Sequence, residues 1–377
     1  MKLHTVAKFG GILSVILFLV GVAMYCFAKL SEAGEGRNMD LMTLVPSDCV
    51  GVLETDNLDY FYNEFPQTSY AAELNTLRNA GSIHSILNDI KEFSNVGSHR
   101  LGNQMNHVMV SFHSEIDVHD VVAYFKMGKD SKRLLSELIR SKEGVKLEPK
   151  RETYRGENID IYPLGHTQFV AVYNGKGFLA VSYQKRLIER VIDARKDDTS
   201  LRNDANFSSI QRTKTANYMT FYAKSLALPV LDEEKTHCWN TFDVHLNSDV
   251  FYLSGGVFGP QTCMQKVCNK LDEVQLVDKE DFLMVSGKNK VDSCISEAII
   301  APNHSLFDEC VSNLSREASY IMVADLAQLN GTENYLKDNV PDFVQRHLNL
   351  FSPFILSVQI TKLEDRLSHI FVFTYKN

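Results

Sequence analysis

The sequence predicts an α+β protein: antiparallel sheets packed by helices, preceded by a single N-terminal transmembrane helix. Three observations carry that expectation. Phe9 to Ala28 run without a single charge. Short apolar runs of strand length recur in pairs, separated by Asn-, Asp- and Gly-containing turns. Between these pairs lie segments whose apolar residues recur every three or four positions, the helical period.

The N-terminal run, FGGILSVILFLVGVAMYCFA, is about 30 Å long as a helix, the thickness of a bilayer's hydrocarbon core. Three fates compete for residues 1–29: a retained signal anchor, a cleaved signal peptide, and a lipoprotein signal with Cys26 as the lipidated residue. The core exceeds the roughly 7–15 residues of a cleavable signal, and Tyr25, Cys26 and Phe27 are poor cleavage neighbours. Ser31 and Ala33 supply a weak small-x-small match, so cleavage stays open. Bulky Tyr25 before Cys26 argues against lipidation. The anchor is the favoured reading. Lys2, Lys8 and the α-amino group precede the span and Lys29 and Arg37 follow it, a small bias toward a cytoplasmic N-terminus.

Residues 30–40 read as a polar linker. A short apolar run at 49–56 opens the globular part, and helical stretches follow from Leu58 through 70–80 and 83–93. Residues 105–113 (MNHVMVSFH) are a strand candidate, and a second apolar run, VVAYFKMG, follows. Leu134, Leu135, Leu138 and Ile139 mark a helix over 131–143. Ile159–Leu164, Gln168–Tyr173 and Phe178–Ser182 read as three strands, the last two joined by Asn174-Gly175-Lys176-Gly177. Asn-Gly is the dipeptide favoured in type I′ hairpins. Leu187, Ile188, Val191 and Ile192 give a helix from Gln184. Residues 216–223 are strand-like. Thr241–Leu246 and Val250–Phe258 flank the turn Asn247-Ser248-Asp249, with a helix over Gln261–Leu271 and a strand at Phe282–Ser286. Phe354–Lys362 and Arg366–Tyr375 form a final hairpin.

Leu228-Pro229 and the acidic run Asp232-Glu233-Glu234 suggest a division into a first α+β unit over 41–230 and a second over 231–377. CVGVLETD at 49–56, ANYMTFYA at 216–223 and ASYIMVAD at 318–325 resemble one another weakly, consistent with two related units.

The chain has a net charge of −8, and residues 1–29 hold three lysines and no acid, so the remainder carries −8 − 3 = −11. An acidic ectodomain argues against nucleic acid and against a basic lipid-binding patch. Of seven cysteines, Cys26 lies in the span; Cys49, Cys238, Cys263, Cys268, Cys294 and Cys310 lie outside it. Disulfides in an oxidising compartment and buried free thiols are equally compatible with that pattern. No C-x-x-C occurs, which removes the zinc-ribbon spacing.

No motif of catalysis is present. His113, Glu115, Asp117 and His119 would share one face of an extended strand. Its ends would lie about 20 Å apart, too far for one metal, so 113–120 reads as a solvated connection. Val285-Ser286-Gly287-Lys288 lacks the first glycine and the final hydroxyl of a phosphate-binding loop. Ser254-Gly255-Gly256 lacks the G-x-S-x-G arrangement of an exposed nucleophile. His237, Cys238 and Trp239 are adjacent in sequence, and Trp239 reads as a core or rim aromatic. The sequence therefore nominates no catalytic, cofactor-binding or metal-ligating residue, and no cofactor.

Four segments carry a resemblance: Pro46-Ser47-Asp48 before the first strand, Tyr154–Tyr162 (YRGENIDIY), residues 178–193 (FLAVSYQKRLIERVID), and Trp239–Leu246 followed by Leu253-Ser254-Gly255-Gly256. They resemble uncharacterised bacterial envelope proteins of the Bacteroides type that have one N-terminal span. The resemblance implies an exported, membrane-tethered α+β protein, periplasmic if bacterial, and transfers no site residues. The expected function is a non-enzymatic scaffold or partner-binding module, held to the membrane by residues 9–28, with an envelope protein as partner. The alternative is an anchored enzyme or small-ligand receptor with a site assembled from distant residues.

Overall fold

The computed structural model describes residues 39–55, 64–71, 108–114, 120–126, 149–165, 168–208, 210, 219–224, 238–300, 305–330, 339–345, 348–363 and 366–376. The expected span at 9–28, the helices expected over 83–93 and 131–143, and most of that over 70–80 lie outside these residues. Among the described residues no helix is long and apolar enough to cross a membrane. The chain forms two compact units: Met1–Asn63 with Asn75–Ser208, and Glu64–Leu74 with Ser209–Asn377.

The first unit contains β1 (Gly51–Thr55), β2 (Val108–Phe112), β3 (Val121–Lys126), β4 (Lys150–Tyr154), β5 (Glu157–Gly165), β6 (Gln168–Gly175), β7 (Phe178–Ser182) and the helix α1 (Lys185–Lys196). The strand order is β1-β2-β3-β7-β6-β5-β4, and every pair is antiparallel. Helix α1 buries Leu187, Ile188, Val191 and Ile192, the stripe expected from the sequence, and adds Ala194. Each such aliphatic side chain removed from water contributes about 1.5–3 kcal/mol.

One turn in this unit differs from expectation, and the geometry expected there occurs at another. The β6–β7 register pairs Asn174 with Leu179 and Gly175 with Phe178, so the reversal falls on Lys176-Gly177 rather than on Asn174-Gly175. Gly177 takes the left-handed conformation (φ 83°), while a Cβ on Gly175 would lie 2.1 Å from the Phe178 ring. The two consecutive positive φ values of a type I′ turn occur instead at Arg155 (50°) and Gly156 (82°), between β4 and β5.

The second unit contains β8 (Thr220–Ala223), β9 (Trp239–Leu246), β10 (Val250–Phe258), α2 (Gln261–Asp272), β11 (Leu276–Lys279), β12 (Phe282–Ser286), α3 (Lys288–Ile300), α4 (Leu306–Ser312), β13 (Tyr320–Asp325), β14 (Phe354–Lys362) and β15 (Leu367–Tyr375). Its order is β11-β12-β13-β14-β15-β10-β9-β8. On one face Phe242, Met284, Met322, Leu356, Phe371 and Phe373 pack with Val267 and Leu271 of α2. On the other, Leu283, Val285, Ile321, Val323 and Ile355 pack with Val291 and Ile295 of α3 and Val311 of α4. Period-two alternation along each strand supplies both faces.

The three weakly similar segments all contribute strands, β1, β8 and β13, and each opens a three-strand meander: β1-β2-β3, β8-β9-β10 and β13-β14-β15. Gly287, in the segment expected to be a polar turn, has φ 87° and leads directly into α3.

Candidate functional site

Two clusters of polar side chains are partly or wholly withdrawn from water, one in each unit. In the first unit, alternation along β2 puts Ser111 and His113 on one face. The Ser111 hydroxyl lies 2.8 Å from His113 Nε2 and 3.0 Å from the Tyr124 hydroxyl. The backbone N–H of His113 donates to the Asp120 carbonyl across the hairpin (2.8 Å). The Asp120 carboxylate accepts both 2.5 and 2.7 Å hydrogen bonds from Arg186 of α1. Burial holds the His113 pKa down to about 4; Asp120 pulls it up and Arg186 pushes it down. The ring is therefore neutral at pH 7. Its Nδ1 is buried without a hydrogen-bond partner, which costs about 1–3 kcal/mol. Burial pushes the Tyr124 phenol well above its usual range, against the Ser111 hydrogen bond.

This is where the 113–120 cluster lands. The β2–β3 hairpin brings His113 and Asp120 together, but Glu115, Asp117 and His119 lie outside the described residues. Among the described residues no group of three His, Cys, Asp or Glu could hold a metal ion. Ser111, Tyr124 and Arg186 were not nominated by sequence. Their meeting depends on strand register and on the docking of α1, which no local pattern encodes.

The second cluster lies on β8, β9 and β10. Thr220 donates to the Asp243 carboxylate (2.5 Å), and Ser254 Oγ lies 3.1 Å from His245 Nε2. The His245 ring stacks on Tyr252 with centroids 4.3 Å apart and planes 9° apart. Burial lowers the His245 pKa, with Asp243 opposing. Ser254 thus has an imidazole partner, although it sits mid-strand rather than on a strand-to-helix elbow. An aligned Ser–His pair can hydrogen-bond a ligand or pass a proton; nucleophilic attack additionally needs donors aimed at a developing oxyanion.

A third set of charges surrounds α1 and is structural in character. Arg190 pairs with Asp48, Lys185 with Glu152 (2.6 Å) and Glu189 (3.2 Å), and Lys196 with Glu157 (3.5 Å). Arg155 grips Asp193 (2.7 Å) and Asp197 (2.6 and 2.7 Å), and Tyr154 donates to Asp193 (3.0 Å). Three of the four segments that carry the resemblance therefore converge on this helix. Lys150 and Lys185 hold the Glu152 carboxyl down to about 2.

Cys238, fully buried beside Trp239 at the start of β9, is disulfide-bonded. Cys49, Cys268, Cys294 and Cys310 are thiols rather than disulfides. Trp239 is itself fully buried, a core aromatic, with the Lys224 ammonium 5.4 Å from its ring centre.

No known protein family, curated protein or solved structure matches this chain.

Proposed function

We propose that this chain is a membrane-anchored extracytoplasmic protein of the bacterial envelope type it resembles, and that it binds a protein partner rather than catalysing a reaction. The location rests on the uncharged run from Phe9 to Ala28, long enough to span a bilayer as a helix. The disulfide at Cys238 fits an oxidising compartment. The observation that carries the non-catalytic reading is how the polar groups are spent. Arg186, Arg190 and Arg155 are committed to Asp120, Asp48 and Asp193 around α1, and burial keeps the His113 ring neutral. A tethered protein searches a surface rather than a volume, which suits modest partner affinities.

Two experiments test this. A reporter active only outside the cytoplasm, fused after Asn377, is expected to be active; an expressed but inactive fusion reverses the topology. A photo-crosslinking residue at Ile300, an apolar side chain 84% exposed, is expected to trap an envelope protein in intact membranes. Recovery at background level, from there and from further exposed positions, removes the partner-binding reading.

The Ser254–His245 pair favours a second reading, an anchored enzyme or small-ligand receptor. Covalent labelling of Ser254 by a fluorophosphonate, lost in His245→Ala, would move the assignment to that reading.

A further inference from the structure

His369 occupies the middle of β15, fully enclosed, and makes a contact that spans three strands. Its direct neighbour on β10 is Gly255, and Gly255 is in turn paired with Phe242 on β9. The imidazole nevertheless reaches past β10: Nε2 lies 2.8 Å from the carbonyl oxygen of Thr241, on β9. A carbonyl accepts only, so Nε2 carries the proton and donates. The ring lies on Phe242, with centroids 4.7 Å apart and planes 19° apart, and meets Phe371 edge-on at 5.4 Å.

Gly255 is what makes room for this bridge. A Cβ there would fall 1.9 Å from the Thr241 oxygen, closer than any real contact. The neighbouring Gly256 N–H turns to the Thr241 hydroxyl (3.1 Å) while the Thr241 carbonyl receives the imidazole. Ser254-Gly255-Gly256, devoid of a nucleophile elbow, is thereby accounted for as the opening through which one side chain staples two non-adjacent strands.

We propose that His369, bridging to Thr241 over Gly255, is an acid-released latch that holds β9, β10 and β15 together. Among the described residues, nothing ionised faces the ring from the elements around it. Gly255 of β10, Thr241 and Phe242 of β9, Ile360 of β14 and Phe371 of β15 offer no charge, and the Tyr320 phenol on β13, opposite Ile360, is itself buried and neutral. Protonation would place a cation there with no counter-ion, and the face of Phe242 returns only part of the lost hydration. Burial holds the ring's pKa down to about 4, with the Thr241 hydrogen bond opposing. The direction follows by linkage. With the folded-state pKa below the ordinary value of 6.5, an opened sheet takes up the proton first. The latch is at full strength above about pH 6.5 and weakens as pH falls toward 4.

The test is amide hydrogen exchange on the full chain in lipid nanodiscs from pH 7 to pH 4, corrected for intrinsic exchange rates. Protection in residues 239–246, 250–258 and 367–375 is expected to fall about tenfold per pH unit below 6.5. In His369→Gln, whose amide can donate to Thr241 without titrating, that fall is expected to become markedly shallower, leaving the part that His245 of β9 contributes. The same pH profile in both proteins overturns the proposal. Should His369→Gln not fold, the titration of the wild-type His369 ring by NMR decides: a ring that titrates below 5 upholds the latch, and one that titrates near 6.5 overturns it.

Discussion

Two pieces of this molecule share an interior and differ on the outside. In the first unit, β6–β7 leads into α1; in the second, β11–β12 leads into α3. Strand β7 reads Phe178-Leu179-Ala180-Val181-Ser182 and β12 reads Phe282-Leu283-Met284-Val285-Ser286, and both are buried throughout. The helices bury Leu187 and Val191 in one case and Val291 and Ile295 in the other, at the same distance along the chain from those strands. Even the closing serines match: Ser182 donates to the Val121 carbonyl and Ser286 to that of Glu273, and each accepts a nearby backbone N–H. The outer faces diverge. Helix α1 is bound by a ring of ion pairs, whereas α3 has Lys288–Glu317 and Asp292–Arg316 and ends in exposed Ile299 and Ile300. The packing against a sheet fixes the inner residues of such a module and leaves the outer ones free to specialise.

The comparison can be broken most forcefully at its shared core. Phe178→Ala and Phe282→Ala each empty a fully enclosed site and are expected to cost about 3–5 kcal/mol by chemical denaturation. A cost under about 1 kcal/mol in one and not the other would show that the two modules are not equivalent.

Acid sharpens it next. Among the described residues each unit holds an imidazole whose pKa burial brings down to about 4, His113 and His369, against about 6.5 when unfolded. The unfolded chain therefore takes up protons first, and each site is expected to withdraw about 3 kcal/mol of stability as pH falls from 6.5 to 4. Denaturation at pH 7 and pH 4.5 measures this, and His113→Gln and His369→Gln should each remove one share of the slope.

The outer faces should respond less. Arg155→Ala removes the grip on Asp193 and Asp197, and Arg316→Ala removes the single pair with Asp292. Both are expected to lower the melting temperature less than the core variants, with Arg155→Ala the larger loss and the difference narrowing in high salt. Smallest of all, Ile300→Ser should leave stability unchanged within about 0.5 kcal/mol while reducing the recovery of a crosslinked partner.

How much of this was legible in the sequence follows the physics of each element. Strands β7, β10, β12 and β14 have the bounds expected, because their apolar residues run uninterrupted or alternate between defined turns. Edge strands β4 (KRETY) and β11 (LVDK) were not foreseen: they bury little, so no hydrophobic period marks them. Helices α3 and α4 were also missed, since α3 buries only Val291 and Ile295 in thirteen residues. The polar clusters were the least legible. Ser111 with Tyr124, Ser254 with His245 and His369 with Thr241 are pairs set by cross-strand register, and a shift of one residue would turn every partner to the opposite face. The Tyr154–Tyr162 segment stood out in sequence for a reason that only the fold explains: its turn delivers Arg155 to the C-terminal end of α1.

The missed edge strands have a consequence for colloidal behaviour. β4 lies at one border of the first unit's sheet and β11 at one border of the second's. An uncovered border offers unpaired backbone groups to any passing strand, the route into aggregates. Lys150, Arg151 and Glu152 on β4, and Asp278 and Lys279 on β11, would have to shed their hydration before another chain could add on. Copies crowded together at high concentration would collide often, and these five charges make such collisions unproductive.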